Sequence, residues 1–136
     1  MKAILLDQYG NHDQMYLGEI PKPSLADNEV LVKVSATALN RADILQRRGL
    51  YPPPPGASEI MGMEIAGTVV DSNKSPKDLL GKNVMAMISG GGYAEYAAIP
   101  ADLLLPVPKN LTTEEAAGVM EDFLTGFQAL KWLSKL

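Results

Sequence analysis

Few side chains here can do chemistry, and their types exclude more than they suggest. The chain has no cysteine and one histidine, His12. That inventory removes disulfides, thiolate metal sites, iron–sulfur clusters, cysteine nucleophiles and every multi-histidine metal centre. Paired carboxylates stand at Glu114-Glu115 and Glu121-Asp122, at or near predicted helix starts, where they offset the positive end of the dipole rather than form an acid–base pair. Arg41, Arg47 and Arg48 crowd one short predicted helix, the pattern of a solvated face. No serine lies in a nucleophile-elbow motif for His12 to activate. Gly90 and Gly92 do not open a phosphate-binding Gly-x-Gly-x-x-Gly, because Glu95 stands where the last glycine is required. Met63 is a weak metal ligand with no partner cysteine or histidine nearby, so it is assigned to the core and no metal site is expected. Three neutral polar side chains remain. Asn40 reads as a helix cap, Tyr51 as a ring packed under a loop, and Thr125 as a polar residue on the solvent side of an apolar helical stripe.

The elements that must position these residues belong to one domain. A chain of 136 residues with 46% hydrophobic and 21% charged residues can bury a single core and is not disordered as a whole. Sixteen acidic against twelve basic residues give a net charge of -4, which lacks the basic surface that nucleic acid requires. Met1 to Leu6 holds no apolar core of signal-peptide length, and no later run reaches membrane-spanning length. A cytoplasmic location and no membrane partner are the resulting expectations.

The first half predicts short strands. Lys2 to Asp7 and Tyr16 to Ile20 form a candidate hairpin across Gly10-Asn11-His12-Asp13, ended by Pro21 and Pro23. Val30, Val32, Val34, Ala36 and Ala38 share one parity and Lys33, Ser35 and Thr37 the other, the period of a half-buried strand. Asn40 caps a predicted helix over Arg41 to Arg48, and Gly49 suits its left-handed end. Tyr51 to Gly56 holds four prolines in succession and predicts a stiff, extended loop. Ile65 to Val70 and Asn83 to Ile88 read as strands separated by the polar stretch Ser72 to Lys77. Gly90 to Gly92 reads as a hairpin turn into a strand over Tyr93 to Ile99. Strands this short and close predict a barrel or sandwich.

After Lys109 the period changes. Thr112 and Glu115 stand at capping-box spacing, and Ala116, Met120, Phe123, Phe127, Leu130 and Leu133 recur at helical intervals. Two helices or one bent helix are expected. The apolar stripe runs to Leu136 without a glycine or proline stop, the pattern of an interrupted helix and of a part of a longer protein.

Five segments in order give the chain a family resemblance: Ala38-Leu39-Asn40-Arg41-Ala42-Asp43; Gly49 through the prolines to Ala57; Gly62-Met63-Glu64-Ile65-Ala66-Gly67-Thr68-Val69; Gly92-Tyr93-Ala94-Glu95-Tyr96; and Glu121 to Leu130. Together they resemble the zinc-independent quinone oxidoreductase branch of the medium-chain dehydrogenase/reductase superfamily. The resemblance implies a mainly β fold with short helices: a GroES-like, partly open β-barrel over residues 1–120. It also implies a helix over 121–136 that leads toward a Rossmann nucleotide-binding domain absent from this chain. Zinc-dependent members place a cysteine near Asn40 to Asp43 and a histidine where Met63 stands, and they add a four-cysteine zinc lobe; all are missing here. Met120 replaces a proline found in close relatives, which leaves the helix break unplaced.

The resemblance further implies hydride transfer from NADPH to a quinone in a homodimeric complete enzyme. Tyr51 would then be catalytic, offering its hydroxyl to a quinone oxygen, with Asn40 and Thr125 on the cofactor side. Two other readings stand beside it. One is a zinc-independent enone or alkenal reductase, whose hydride chemistry needs a similar site. The other is a non-enzymatic GroES-like module that binds protein.

Overall fold

The computed structural model describes residues 1–73 and 77–136. Part of the polar stretch Ser72 to Lys77 therefore lies outside the described residues. Strand β1 (Lys2–Leu6) and strand β2 (Met15–Glu19) form an antiparallel hairpin with Lys2 opposite Glu19 and Leu6 opposite Met15. The remaining strands are β3 (Glu29–Thr37), β4 (Glu64–Ser72), β5 (Asn83–Met87), β6 (Tyr96–Pro100) and β7 (Leu105–Pro106). They make one antiparallel sheet in the order β6-β3-β4-β5-β7. The helices are α1 (Arg41–Arg47), α2 (Thr113–Ala116) and α3 (Met120–Phe127), the last continued by a π-helical turn, Gln128–Leu133. This is the expected mainly β architecture with short helices, and its sheets do not close on themselves.

The alternation read from Val30 to Ala38 decides which face of β3 is buried. Val30 and Val32 are fully enclosed, and they pack with Ile65 and Val69 of β4, Val84 and Ala86 of β5, and Ala97 and Ile99 of β6. Leu31 is buried too, so alternation fades where β3 is covered on both faces. A second, smaller cluster joins Ala66 and Met85 to Ala116, Ala117 and Met120, which seats α2 and α3 on the other face of β4. Met63 is buried, as its packing assignment requires.

Two expectations need correction. The strand over Tyr93 to Ile99 is divided between sheets. Ala94 bridges to Ala3, and the Ile4 amide donates to the Tyr93 carbonyl at 2.8 Å, whereas the strand paired with β3 is Tyr96–Pro100, preceded by the Glu95 carbonyl, which accepts the Val34 amide at 2.9 Å. Residues 93 to 95 thus fasten the β1–β2 hairpin to the main sheet.

The second correction concerns Gly90 to Gly92. The segment is not a hairpin turn, since β5 pairs with β4 and β7 while β6 pairs with β3. It is a crossover laid against residues 58 to 62, with Gly91 and Gly92 amides donating to the carbonyls of Ile60 and Gly62. Contact at this range is why glycine is needed: a Cβ on Gly90 (φ 154°) would stand 2.5 Å from the Ser58 carbonyl oxygen. Facing it, a Cβ on Gly62 (φ 97°) would meet the Tyr93 nitrogen at 2.6 Å.

At the C-terminus there are two helices, separated at residues 117–119, just before Met120. Thr112 and Glu115 close a reciprocal capping box: the Glu115 amide donates to Thr112 Oγ1 at 3.2 Å, and the Thr112 amide donates to Glu115 Oε2 at 2.8 Å. The Thr112 amide first, and then the Thr112 hydroxyl 3.0 Å from the same Oε2, hold the Glu115 carboxyl below its ordinary pKa.

Candidate functional site

Chain direction reverses twice beside the sheet, after β3 and before β4, and the residues at those reversals form a buried polar cluster. Asn40 takes an extended backbone (φ -112°, ψ 158°) as N-cap of α1, and Gly49 takes the left-handed turn after the helix (φ 75°). Asp43, three residues on, returns its carboxylate to the Asn40 amide, with 2.8 Å between the nitrogen and Oδ2. The same Oδ2 accepts from the Tyr93 hydroxyl at 2.9 Å. The Asn40 side chain reaches across to β4, where its Nδ2 donates to Glu64 Oε1 at 2.8 Å. Glu64 Oε2 accepts the Glu121 backbone amide at 3.0 Å, and Thr37 Oγ1 donates to the Glu64 carbonyl at 2.7 Å.

Burial makes this cluster consequential. Glu64 is 0% exposed and Asn40 8%. A carboxylate so enclosed is tolerated only where hydrogen-bond donors replace water. Burial, the Asp43 charge and the hydrogen bond to Asp43 all push the Tyr93 phenol well above its ordinary pKa of 10.0, with the Glu64 charge adding to the shift. Tyr93 is thus a neutral donor throughout the physiological range. On the inner face of α1, Asp43 Oδ1, Gln46 Oε1 and Arg47 Nε are buried without a hydrogen-bond partner. Gln46 also lines a cleft of about 370 Å3 between α1, the loop after β1 and the proline segment, with Tyr9, Pro53 and Met61 on its walls.

The three residues singled out from sequence have different surroundings. Asn40 is inside the cluster. Thr125 is exposed on α3 and donates to Glu121 Oε1 at 3.3 Å, so a line of hydrogen bonds runs from Asn40 through Glu64 and Glu121 to Thr125. Tyr51 is not part of that line. It stands 48% exposed at the mouth of the proline loop, so its ring is not packed away beneath it. His12 is exposed in a single 3-10 turn.

Sequence reasoning missed Glu64, Asp43 and Tyr93. Two of them left a signal. Asp43 follows Asn40 at capping-box spacing, and Glu64 is the one charge inside the apolar run from Gly62 to Val70. Tyr93 left none, because only folding carries it to α1.

The α3 face opposite the sheet is apolar and open. Phe123, Phe127 and Leu130 flank a shallow surface concavity, and Phe127 meets Trp132 edge to face with ring centroids 6.0 Å apart. Among the described residues no helix is long and apolar enough to cross a membrane.

Residues 26–109 match the family model of the alcohol dehydrogenase GroES-like domain. The chain belongs to that family. Human synaptic vesicle membrane protein VAT-1 homolog-like protein has a solved structure that superposes with a TM-score of 0.91 at 26% identity, covering 100% of this chain and 44% of that one. Quinone oxidoreductase from Thermus thermophilus, solved also as its NADPH complex, is 37% identical with a TM-score of 0.79, over 96% of this chain and 40% of that one. The chloroplastic NADPH-dependent alkenal/one oxidoreductase of Arabidopsis thaliana is 34% identical over 88% of this chain and 34% of its own length. This GroES-like chain spans about a third of the length of the curated relatives it matches.

Proposed function

We propose that this GroES-like chain is the catalytic-domain portion of a zinc-independent NAD(P)H-dependent quinone oxidoreductase, with residues 121–136 leading into a Rossmann domain that grips the nucleotide. The observation that carries this reading is the 37% identity to the Thermus quinone oxidoreductase over 96% of the chain. Its proline segment, Tyr51 to Gly56, is also similar to that of the tumour-suppressor-inducible quinone oxidoreductase. The open apolar face of α3 supports the domain arrangement, since Phe123 and Phe127 are 70% and 52% exposed and a nucleotide-binding domain seated there would cover them.

The residues present fit a nicotinamide unequally. Thr125 and Tyr51 are exposed and able to meet a bound ring and a substrate. Asn40 has its amide nitrogen engaged by Glu64, which suits support from behind the surface. NADPH, when bound, supplies the hydride. Tyr51 would donate its hydroxyl to the quinone oxygen that gains negative charge. With one histidine and no cysteine, carbonyl activation falls to such donors rather than to zinc.

In the complete enzyme Tyr51→Phe keeps the ring and removes the donor, so kcat/KM for quinone reduction should fall about tenfold or more, with NADPH affinity unchanged. Equal kinetics would end the catalytic assignment of Tyr51. Residues 1–136 alone should bind NADPH weakly by calorimetry, because the groups that hold adenosine and diphosphate lie in the other domain. Low-micromolar binding by this chain would refute that division of labour. The 34% identity to the Arabidopsis alkenal/one oxidoreductase favours enone reduction as the second reading. Steady-state turnover with p-benzoquinone and with an alkenal at matched concentration separates the two.

A further inference from the structure

Helix α3 has no cap of its own. Its N-cap position is Val119, which has helical backbone angles and a side chain with no acceptor. Yet the first amides of a helix need acceptors, and the Glu121 amide finds one in Glu64, 57 positions earlier on β4. The other oxygen of that carboxylate holds the Asn40 amide nitrogen. One side chain, fully enclosed, therefore joins the start of α1 to the start of α3.

We propose that Glu64 is a positioning residue: a carboxylate joint that fixes the orientation of the Asn40 amide and the start of α3 together. Both Glu64 oxygens accept, one from the Glu121 amide and one from Asn40 Nδ2, so Asn40 presents its nitrogen to Glu64 and not its oxygen. Glu121, held at its backbone by Glu64, accepts the Thr125 hydroxyl through its own side chain. The first turn of α3 is thus set by β4, and the position of Thr125 with it. Beyond Asn40 and Glu121, the charged and titratable groups of this cluster are Asp43 and Tyr93, which bond to each other and stabilise the Asn40 end. The joint bears on the Proposed function only in its consequence, that Asn40 and Thr125 keep a fixed relation; the joint itself is testable without ligand.

The test exchanges donor and acceptor, with amide hydrogen exchange by NMR as readout in the 136-residue chain. Asn40→Asp sets a carboxylate against Glu64, and exchange at the Glu121 amide should rise roughly tenfold at pH 7, with core amides of β3 and β6 unaffected. Glu64→Gln alone should leave Glu121 near its native rate, since Asn40 can turn its amide to meet the new donor. Adding Glu64→Gln to Asn40→Asp should restore protection, because the new amide donates to the new carboxylate and keeps an oxygen for Glu121. Unchanged exchange at Glu121 in a folded Asn40→Asp chain would overturn the joint. Where Asn40→Asp alone fails to fold, the double variant decides: native protection supports the joint, and failure to recover it refutes it. NADPH-induced shifts at Thr125 in the complete enzyme test the cofactor assignment separately, and their absence there would leave the exchange result standing.

Discussion

The two faces of β4 bury different chemistry within one residue of each other. Ile65 points into the apolar core with Val30, Val32 and Ile99, whereas Glu64 points the other way into a cluster of hydrogen bonds to α1 and α3, and both side chains are fully enclosed. The apolar face is held by area removed from water, a force without direction. The polar face contributes little area, because α2 and α3 seat through Ala116 and Ala117 against Ala66, with Met120 the largest apolar group they add. A buried methyl or methylene contributes only about 0.8 kcal/mol, so alanine contacts leave the helices free to slide unless something directional pins them. Glu64 provides that direction. One face of the strand keeps the domain folded, and the other fixes where its helices lie.

This division predicts an ordered series of effects. Ile65→Ala should be the most damaging, lowering stability by about 3 kcal/mol through lost burial and a residual cavity; urea unfolding followed by circular dichroism measures it. A loss below about 1 kcal/mol would mean that this face is not the main store of stability.

On the polar side, Tyr93→Phe removes the hydroxyl that Asp43 accepts and leaves a buried carboxylate short of a donor, for a loss of about 2 kcal/mol. The same substitution should remove an alkaline transition. The Tyr93 phenol has its pKa raised in the folded chain above the ordinary 10.0, so its contribution is fully present below about pH 10 and is lost as pH rises through the folded value. Urea midpoints at pH 8 and pH 10.5 should diverge in the parent more than in the variant. Equal divergence would assign the alkaline loss to other tyrosines.

The smallest effect belongs to a cap that touches neither face. Thr112→Ala should lower stability by about 1 kcal/mol, since α2 loses the acceptor for its Glu115 amide. Glu115 has a depressed carboxyl pKa from the same box. Its contribution is present above the unfolded value of 4.5 and fades as pH falls through the lower folded one. The gap between acid titrations of the parent and of Thr112→Ala, read by helical ellipticity, should narrow at low pH without closing, because protonation removes the hydroxyl's bond to the carboxylate but not its bond from the Glu115 amide. If the two stay parallel, the Thr112 hydroxyl adds nothing to the backbone amide in holding Glu115 ionised.

Local patterns were enough wherever a residue's neighbours in sequence are also its partners. The β3 alternation, the Asn40 cap of α1 and the Thr112-to-Glu115 box each close within a few residues, so spacing alone exposes them. The proline run after Tyr51 restricts its own backbone in the same way. The failures lie where partners are distant. Gly90 to Gly92 has the composition of a hairpin turn, yet the glycines are needed because Ser58 and Gly62 come within contact distance. Tyr93 reads as the first residue of a strand until the β1–β2 hairpin claims its carbonyl and Asp43 its hydroxyl.

Residue types and short spacings were sufficient for the mainly β class and the caps of α1 and α2, and five motifs in order carried the resemblance to the superfamily whose GroES-like domain the chain matches. That Glu64 is a joint emerges only in the folded chain. A buried carboxylate is defined by the donors that replace its water, and those donors, at Asn40 and Glu121, lie 24 and 57 residues away, beyond the reach of any local pattern.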